Sequence, residues 1–296
     1  MASGIIVIDK PAGWTSMDVC AKLRGMFHEK RVGHAGTLDP MATGVLPVFI
    51  GRATRAVEFA AESDKEYIAG LKLGVVTNTQ DATGEVLEER PAEVARERLW
   101  AALDRFTGDI EQIPPMYSAI KINGKKLYEL ARKGKEVERR PRPVTIRALG
   151  VLDEAPPEGA DYLLRVVCSK GTYVRTLCHD IGQALGCGGC MASLRRVRAA
   201  GFTLEDSVSL EAVQGAVDRG EGESLLLPVD EYFARNGWKA KAVVRPAAEK
   251  RLRNGASIPT PGVELECRVY SEGGEFLGLG SSEGARLKLI KSFFEV

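Results

Sequence analysis

The sequence predicts an α+β or mixed-sheet body followed by a small all-β module. Over most of the chain, short strand-like segments alternate with single amphipathic helices. In the last sixty residues, short strands are separated by glycine-containing turns instead. With 296 residues, of which 44% are apolar, the chain can bury a sizeable core without disulfides or structural metals.

Turn and capping signals define the first elements. Residues 4–8 form a predicted strand, and Thr15 or Ser16 can cap the helix that follows. The predicted buried face of this helix consists of Val19, Cys20, Leu23 and Phe27. Further strands are predicted at 45–50 and 67–73, the second from its alternating apolar residues.

Two longer helices are predicted in the middle of the chain. The first starts near Pro91, because proline favours the first helical turn. Its buried face consists of Ala95, Leu99, Ala102 and Phe106. The second follows a strand at 162–168, and Thr172 can cap it. Its buried stripe consists of Val174, Leu177, Ile181 and Leu185.

The C-terminal module begins after a predicted joint at 236–238. From about Val263, short strands are broken by turns at 271–274 and 281–284. We therefore predict two domains, residues 1–236 and residues 237–296.

The composition excludes several classes of protein. Lys and Arg number 41 and Asp and Glu 40, and this balance excludes a disordered polyelectrolyte and a uniformly basic, histone-like protein. No apolar run approaches the roughly 18 residues of a membrane span, and the N-terminal strand is too short for a signal-peptide core. We therefore expect a cytoplasmic protein whose six cysteines are reduced thiols.

Positive charge is concentrated between Lys121 and Arg147. Ten basic and three acidic residues give this window a net charge of +7, which leaves −6 for the rest of the chain. The window also contains Tyr128 and follows the apolar segment 113–117, so apolar groups accompany the charge. A second basic cluster is 195–198. A solvated surface face is one interpretation, but this combination favours a nucleic-acid contact.

A loop rich in small residues, 33–44, contains Asp39 directly before Pro40. Glycines let the backbone approach a ligand closely, and the proline favours an extended Asp39. The loop matches neither a P-loop nor a dinucleotide-binding fingerprint. On spacing alone, Asp39 is a candidate cleft carboxylate, although an aspartate in such a loop is more commonly a structural turn former.

Metal and triad chemistry receive little support. A zinc site could use Cys178, His179, Cys187 and Cys190, but these include a single Cys-x-x-Cys pair, and Cys178 lies on a predicted buried stripe. With three histidines and no G-x-S-x-G motif, a Ser-His-Asp triad is also disfavoured. We expect no metal and no cofactor.

A series of motifs runs in order through the first 200 residues. The motifs are Lys10-Pro11 with Gly13 and Thr15-Ser16, 33–40, 44–47, 51–54, 65–67, 112–119, 124–128, 170–175 and 194–196. Together they resemble the motifs of the bacterial tRNA pseudouridine synthase B (TruB) family. The C-terminal strands resemble the small RNA-binding PUA domain.

The resemblance implies the pseudouridine synthase fold. This is an α+β fold with a mixed, largely antiparallel central sheet flanked by helices, here followed by a β-rich PUA-like domain. It also implies a tRNA pseudouridine(55) synthase. Such an isomerase moves the glycosidic link of uridine-55 in the T-loop from N1 to C5 without cofactor or metal. The expected partner is the T-arm stem-loop of tRNA, and the enzyme is expected to be a monomer.

The resemblance also implies roles for individual residues. Asp39 matches the essential carboxylate and Arg175 the arginine that pairs with it. Attack at ribose C1′, addition to C6 of the base and removal of a ribose proton all remain open for Asp39. The expected substrate-binding residues are Lys10, His34, Tyr67, Tyr173 and Leu194, with Tyr67 stacking on the target base.

An insertion at about 108–147 is expected to grip the backbone of the T-arm. The same basic segment would also serve a non-catalytic RNA-binding or RNA-folding protein. The joint presence of Asp39, Tyr67 and Arg175 favours the enzyme over this alternative.

Overall fold

The computed structural model describes residues 2–122, 124–260 and 265–294, which form eighteen strands and eight α-helices. The strands are β1 Gly4–Lys10, β2 Val32–His34, β3 Thr43–Ile50, β4 Lys65–Leu73, β5 Val75–Thr77, β6 Val86–Glu89, β7 Gly108–Gln112, β8 Lys121–Ile122, β9 Lys125–Lys126, β10 Arg142–Val151, β11 Tyr162–Cys168, β12 Gly189–Ala199, β13 Phe202–Thr203, β14 Lys241–Val244, β15 Ile258–Pro259, β16 Leu265–Ser271, β17 Phe276–Glu283 and β18 Arg286–Ser292. The helices are α1 Ser16–Phe27, α2 Val57–Ala61, α3 Arg96–Leu103, α4 Leu127–Ala131, α5 Val174–Leu185, α6 Leu210–Asp218, α7 Val229–Arg235 and α8 Pro246–Arg253. In these described ranges, no helix has the length and apolar character needed to cross a membrane.

Nine strands form the central sheet. Seven lie in the order β1-β3-β12-β4-β11-β10-β7, with β2 beside β3 and β13 beside β12. The β3–β12 pair is parallel, and the other pairs in the sheet are antiparallel. The apolar faces of α1 and α5 pack into the main core against this sheet. The predicted mixed, largely antiparallel sheet flanked by helices is therefore confirmed.

The predicted start of α1 is also confirmed. Thr15 caps the helix through a capping box: its hydroxyl accepts from the Asp18 N–H, and the Asp18 carboxylate accepts from the Thr15 N–H. The helix ends at His28, which adopts a left-handed conformation. The buried residues of the helix are Ser16, Val19, Cys20, Leu23 and Met26, while Phe27 is half-buried.

The prediction that a helix starts near Pro91 is wrong, because α3 begins at Arg96. The Tyr162 hydroxyl donates to the Val94 carbonyl, and Ala95 is extended, with a φ of −63° and a ψ of 148°. A tertiary hydrogen bond therefore keeps this segment out of the helix, which local propensity alone would have extended. The buried residues of α3 are Leu99 and Leu103, and Ala95 is exposed.

The cap predicted for α5 is also wrong. The Thr172 hydroxyl donates to the Ser169 carbonyl (3.0 Å), and the N-cap is Tyr173, with no side-chain cap. The Gln112 side chain holds the Tyr173 backbone from both sides, donating to its carbonyl (3.2 Å) and accepting from its N–H (3.0 Å). The predicted stripe is confirmed as buried: Val174, Leu177, Ile181 and Leu185.

The C-terminal module is a five-stranded sheet in the order β14-β16-β17-β18-β15. The expectation of an all-β module is wrong in one respect, since α8 lies between β14 and β15 and begins with Pro246. The module remains rich in β-strands. Val263, the predicted start of its strands, lies outside the described residues, and the domain boundary at 236–237 remains a prediction.

An aromatic cluster joins this module to the central sheet. The Phe233 ring of α7 lies 5.3 Å from Phe59, 6.1 Å from Trp238 and 5.6 Å from Phe293, measured between centroids. Phe233 is 1% exposed and belongs to a core that contains residues of β1, β3 and the C-terminal strands. The two units therefore share one continuous apolar interface.

We expect Phe233→Ala to destabilise the fold by about 3–5 kcal/mol, because it leaves a cavity in this cluster. Urea unfolding measures the loss. Val243→Ala is the control, since Val243 is 67% exposed, and its effect should stay within about 0.5 kcal/mol. Equal effects of the two substitutions would contradict a shared interface core.

Candidate active site

The loop of residues 35–42 joins β2 to β3 and carries Asp39. The buried Ser16 hydroxyl accepts from the Leu38 N–H (2.9 Å) and donates to the Leu38 carbonyl (3.2 Å). On the other side, the Ala42 N–H donates to the Asp39 carbonyl (3.0 Å). The backbone around the carboxylate is therefore fixed before any ligand binds.

Arg175 binds the Asp39 carboxylate through two of its nitrogens. Its Nε lies 2.9 Å from Oδ2, and its Nη2 lies 3.4 Å from Oδ1. Arg175 lies in the first turn of α5 and is 5% exposed, so it is a buried cation and not a charge on the helix surface. The Asp39 side chain keeps 35% of its surface exposed, and this open side leaves room for a ligand. The structure brings the two predicted catalytic residues together, while their catalytic roles remain predictions.

Three further groups fix the other end of the Arg175 guanidinium. Its Nη1 donates to the Thr79 carbonyl (3.1 Å) and lies 3.5 Å from the Asp81 carboxylate, while its Nη2 donates to the Tyr117 carbonyl (2.9 Å). One buried cation is thus shared by two carboxylates and two carbonyls. A guanidinium with this many partners has a fixed orientation.

Asp81 is a site residue that sequence reasoning missed. Its Oδ1 accepts from the Thr79 hydroxyl (2.8 Å), the Thr83 N–H (3.0 Å) and the Thr83 hydroxyl (2.6 Å). A Cβ on Gly84 would lie 2.2 Å from the Thr79 hydroxyl, so this position requires glycine. The available signal was a Thr-x-Asp-x-Thr-Gly pattern, which also describes an ordinary Asx turn. The pattern alone does not show that the second carboxylate oxygen faces an arginine.

Burial raises the pKa of Asp39 above its ordinary value of 3.8, and the Arg175 cation opposes this shift. The negative charge of Asp81 raises the pKa further, and Lys10 lowers it. Desolvation therefore outweighs the effect of the two cations on the pKa of Asp39. A carboxylate with a raised pKa is a stronger base than a free aspartate.

Lys10 lies beneath the loop and is fully buried. Its ammonium donates to the carbonyls of Pro11 (2.9 Å), Trp14 (2.6 Å) and Pro40 (3.2 Å). Burial lowers the pKa of Lys10 to about 8, and Asp39 partly opposes the shift. This geometry favours a role in positioning the loop over the predicted contact with substrate.

Tyr67 and Leu194 lie on adjacent strands, β4 and β12. Tyr67 pairs with Arg196, and Leu194 pairs with Ala69, so these side chains share one face of the sheet. Both Tyr67 and Leu194 are nearly buried, and both belong to the main core. Burial raises the pKa of the Tyr67 hydroxyl, and the Arg196 cation opposes this shift.

Tyr173 and His34 complete the predicted set. Burial raises the pKa of the Tyr173 hydroxyl, and Tyr173 is the N-cap of α5, two residues before Arg175. His34 is the last residue of β2, and burial together with the Arg196 cation lowers its pKa. Its Nδ1 is buried without a hydrogen-bond partner. The lowered pKa favours the neutral imidazole next to the loop.

Most of the basic window lies on an excursion from the sheet, while its last residues, 142–147, belong to β10. Strands β7 and β10 pair directly, so the intervening residues 113–141 leave the sheet and return to it. Lys126 and Arg132 lie over the Tyr128 ring, each 5.4 Å from its centroid. Because the Tyr117 carbonyl accepts from Arg175, the base of this excursion also contacts the candidate site.

The cysteines considered for zinc are buried thiols. Cys178, Cys187 and Cys190 lie in the core, and burial raises the pKa of the Cys178 and Cys190 thiols. Throughout the described residues, no three His, Cys, Asp or Glu side chains are grouped in a way that could hold a metal ion.

Solved structures share this fold. Over 98% of this chain and 85% of the other, the chain superposes on a protein in the crystal structure of a Cbf5-Nop10-Gar1 complex, with a TM-score of 0.72 and 26% identity. A second likeness is the crystal structure of the archaeal box H/ACA sRNP Nop10-Cbf5 complex, with a TM-score of 0.70, 25% identity and coverage of 98% and 86%. The C-terminal sheet is included in both superpositions and is PUA-like.

Fold and family models together define a pseudouridine synthase, which is an isomerase. The model of the N-terminal domain of TruB family pseudouridylate synthases matches residues 24–174. The model of the tRNA pseudouridylate synthase B C-terminal domain matches residues 175–234. The chain therefore belongs to the TruB family.

Relatives named tRNA pseudouridine synthase B match nearly the whole chain. The relative from Clostridium kluyveri is 41% identical over 98% of this chain and 99% of its own. The relative from Ralstonia nicotianae is 44% identical over 96% and 92%, and that from Lachnoclostridium phytofermentans is 49% identical over 86% and 84%.

We expect the activity to fall in acid at a pH above the ordinary aspartate pKa of 3.8, because the pKa of Asp39 is raised and its carboxylate takes up a proton there. Arg175→Gln should move this acid limb to higher pH, since it removes a cation that favours the ionised form. Asp81→Asn should move the limb to lower pH, since it removes a like charge.

The pH dependence of single-turnover rates measures both shifts, each normalised to the plateau of the variant. A limb that moves in the same direction in both variants would contradict this account of the Asp39 pKa.

Proposed function

We propose that this protein converts uridine-55 in the T-loop of tRNA to pseudouridine, with Asp39 as the essential catalytic carboxylate. The relatives that match it over nearly their full length are named tRNA pseudouridine synthase B, which supports tRNA as the substrate. The observation that carries the catalytic proposal is the Arg175–Asp39 contact at 2.9 Å, with one side of the carboxylate left exposed.

The proposed reaction breaks the N1–C1′ bond and forms a C5–C1′ bond; C5 releases its proton and N1 gains one from solvent. Attack at C1′, addition to C6 and removal of a ribose proton all require an ionised carboxylate with a free lone pair. Arg175 orients Asp39 through Nε and Nη2, and the shared charge of Asp81 keeps this carboxylate from being fully neutralised. The site therefore supplies a fixed, ionised and basic oxygen.

A uridine in a folded T-loop must leave its stack to reach Asp39, at a cost of a few kcal/mol. In this proposal, the flipped base stacks on Tyr67, which Leu194 supports from the neighbouring strand. Tyr173, the N-cap of α5, and His34, at the end of β2, contact the RNA from the two sides of Asp39 in this proposal.

The excursion 113–141 grips the T-arm backbone in this proposal. Lys121, Lys125, Lys133 and Lys135 are exposed on it. Proteins recognise RNA helices mainly through phosphate contacts and shape, for which a basic segment of this kind is suited. The protein acts as a cytoplasmic monomer, without metal or cofactor. The buried Asp39–Arg175 contact favours this reaction over the non-catalytic alternative.

We expect Asp39→Asn to abolish turnover and to leave tRNA affinity within about threefold, because the amide keeps the shape but loses the basic oxygen. Tritium release from tRNA labelled at C5 of uridine measures turnover, and filter binding measures affinity. Asp153→Asn is the matched control, since the Asp153 side chain is 96% exposed. Turnover retained in Asp39→Asn would support the non-catalytic alternative.

We expect each of Lys121→Ala, Lys125→Ala and Lys133→Ala to weaken tRNA binding without a change in the site that is modified. Each lost phosphate contact should reduce the slope of log affinity against log salt by about 0.7–0.9. Binding measured between low and moderate salt tests this, with Lys22→Ala of α1 as the control outside the window. An unchanged slope in all three variants would remove the excursion from the interface.

A further inference from the structure

Arg196 of β12 is a buried cation without a carboxylate partner. It is 1% exposed, and no Asp or Glu among the described residues lies within ion-pair distance of it. Its neighbours on the same strand differ in both respects: Arg195 pairs with Asp9 (2.8 Å), Arg198 pairs with Glu66 (3.1 Å), and both side chains are more than 40% exposed. A buried charge without a counter-ion costs several kcal/mol, so its presence requires a compensating contribution.

The guanidinium of Arg196 bridges the two ends of the loop that carries Asp39. Its Nη2 donates to the Gly36 carbonyl (3.1 Å) and its Nε to the Val45 carbonyl (2.8 Å). Gly36 lies near the start of the loop, before Asp39. Val45 lies in β3, just after the end of the loop. One rigid planar group therefore sets the distance between the two ends of the loop.

Two glycines make room for this bridge. A Cβ on Gly36 would lie 3.4 Å from Nη1 of Arg196, and a Cβ on Gly44 would lie 2.2 Å from the Arg196 carbonyl. Both glycines have a positive φ, +85° and +101°. The small residues of the loop, which the sequence suggested for ligand approach, thus also serve the close approach of Arg196.

Arg196 also reaches the residues expected to hold the base. Arg196 pairs with Tyr67 across β12 and β4, so their side chains lie on the same face of the sheet, and its charge lowers the pKa of His34 and of Lys10. Lys10 in turn donates to the Pro40 carbonyl in the middle of the loop. Arg196 thus bridges the loop ends and lies beside Tyr67 without itself reaching the surface.

We propose that Arg196 is a positioning residue for the isomerisation: it bridges the ends of the loop 36–45 beside Tyr67, so that Asp39 and the target base meet in a reactive geometry. This inference rests on the proposed function. Arginine suits the role because it stays charged and donates in a planar fork, which lysine cannot reproduce.

The test compares Arg196→Gln with Arg165→Gln of β11, since Arg165 pairs with Glu66 and its side chain is 46% exposed. A displacement of about 1 Å at a reacting group costs about a hundredfold in rate. We expect Arg196→Gln to lower kcat at saturating tRNA by about that factor with the Kd for tRNA changed less than threefold, since the residue is buried. Arg165→Gln should leave kcat within about twofold. A loss in Arg196→Gln that appears only in Kd, or a wild-type kcat, would overturn the proposal.

A pH profile separates positioning from general damage. Loss of the Lys10 proton removes a donor to the loop, so wild-type activity should fall above about pH 8, the pKa of Lys10. The charges that face Lys10 are Asp39, Arg196 and Asp18, and among them Arg196 lowers this pKa. Arg196→Gln should therefore move the basic limb to higher pH, whereas Arg196→Lys should keep the limb and recover part of kcat. If the basic limb lies at the same pH in Arg196→Gln and in Arg196→Lys, the result would contradict an effect of the Arg196 charge on Lys10.

Hydrogen exchange provides a measurement that does not depend on the reaction. In Arg196→Gln, or in Arg196→Lys if the glutamine variant does not fold, amides of residues 33–45 should exchange about tenfold faster than in the wild type, and those of α5 should not change. Unchanged exchange in the loop would overturn the proposal even if the wild type is active. A wild type that forms no pseudouridine but shows the faster loop exchange on substitution would refute the proposed function and keep the loop-bridging role.

Discussion

The contact between Arg175 and Asp39 is the interaction on which the site depends. Burying a carboxylate favours its neutral form, and a neutral aspartic acid has no basic oxygen to offer. If the full charge of the guanidinium acted on Asp39 alone, it would keep Asp39 ionised. It would also lower the basicity of the carboxylate. Sharing the guanidinium with Asp81 settles this conflict, because the three groups together keep one negative charge. The raised pKa of Asp39 has the sign that this arrangement requires.

The cations below the loop show the cost of that arrangement. Lys10 and Arg196 are both buried, and each donates to a backbone carbonyl of the loop. Well-packed apolar side chains of similar size would often be at least as stable as buried charges. The fold carries these cations at the position where they hold the loop of Asp39, and the large apolar cores elsewhere offset the loss. Stability is thus lowered locally where geometry is required.

The sequence predicted the architecture and the pair of Asp39 and Arg175. It did not predict the hydrogen bonds and ion pairs that surround this pair. Strand β11 was predicted with its observed bounds and the stripe of α5 in full, because periodicity reports burial directly. The start of α3 was predicted wrongly, since a hydrogen bond from Tyr162 decided it, a residue about seventy positions away. Asp81 resembled an ordinary turn former, and Arg196 resembled one of three surface arginines. Which of several like residues faces inward depends on strand register, and the local sequence of β12 did not reveal it.

The basic excursion is connected by hydrogen bonds to Arg175 and to the start of α5. The Tyr117 carbonyl accepts from Arg175, and the side chain of Gln112, the last residue before the excursion, is hydrogen-bonded to the Tyr173 backbone. In the proposed reaction, flipping the uridine costs a few kcal/mol, and remote phosphate contacts are the source of binding free energy that offsets it. Those contacts serve catalysis only if the segment that makes them stands in a fixed relation to Asp39. The hydrogen bonds of Tyr117 and Gln112 provide that relation, because they join the base of the excursion to the arginine that holds Asp39.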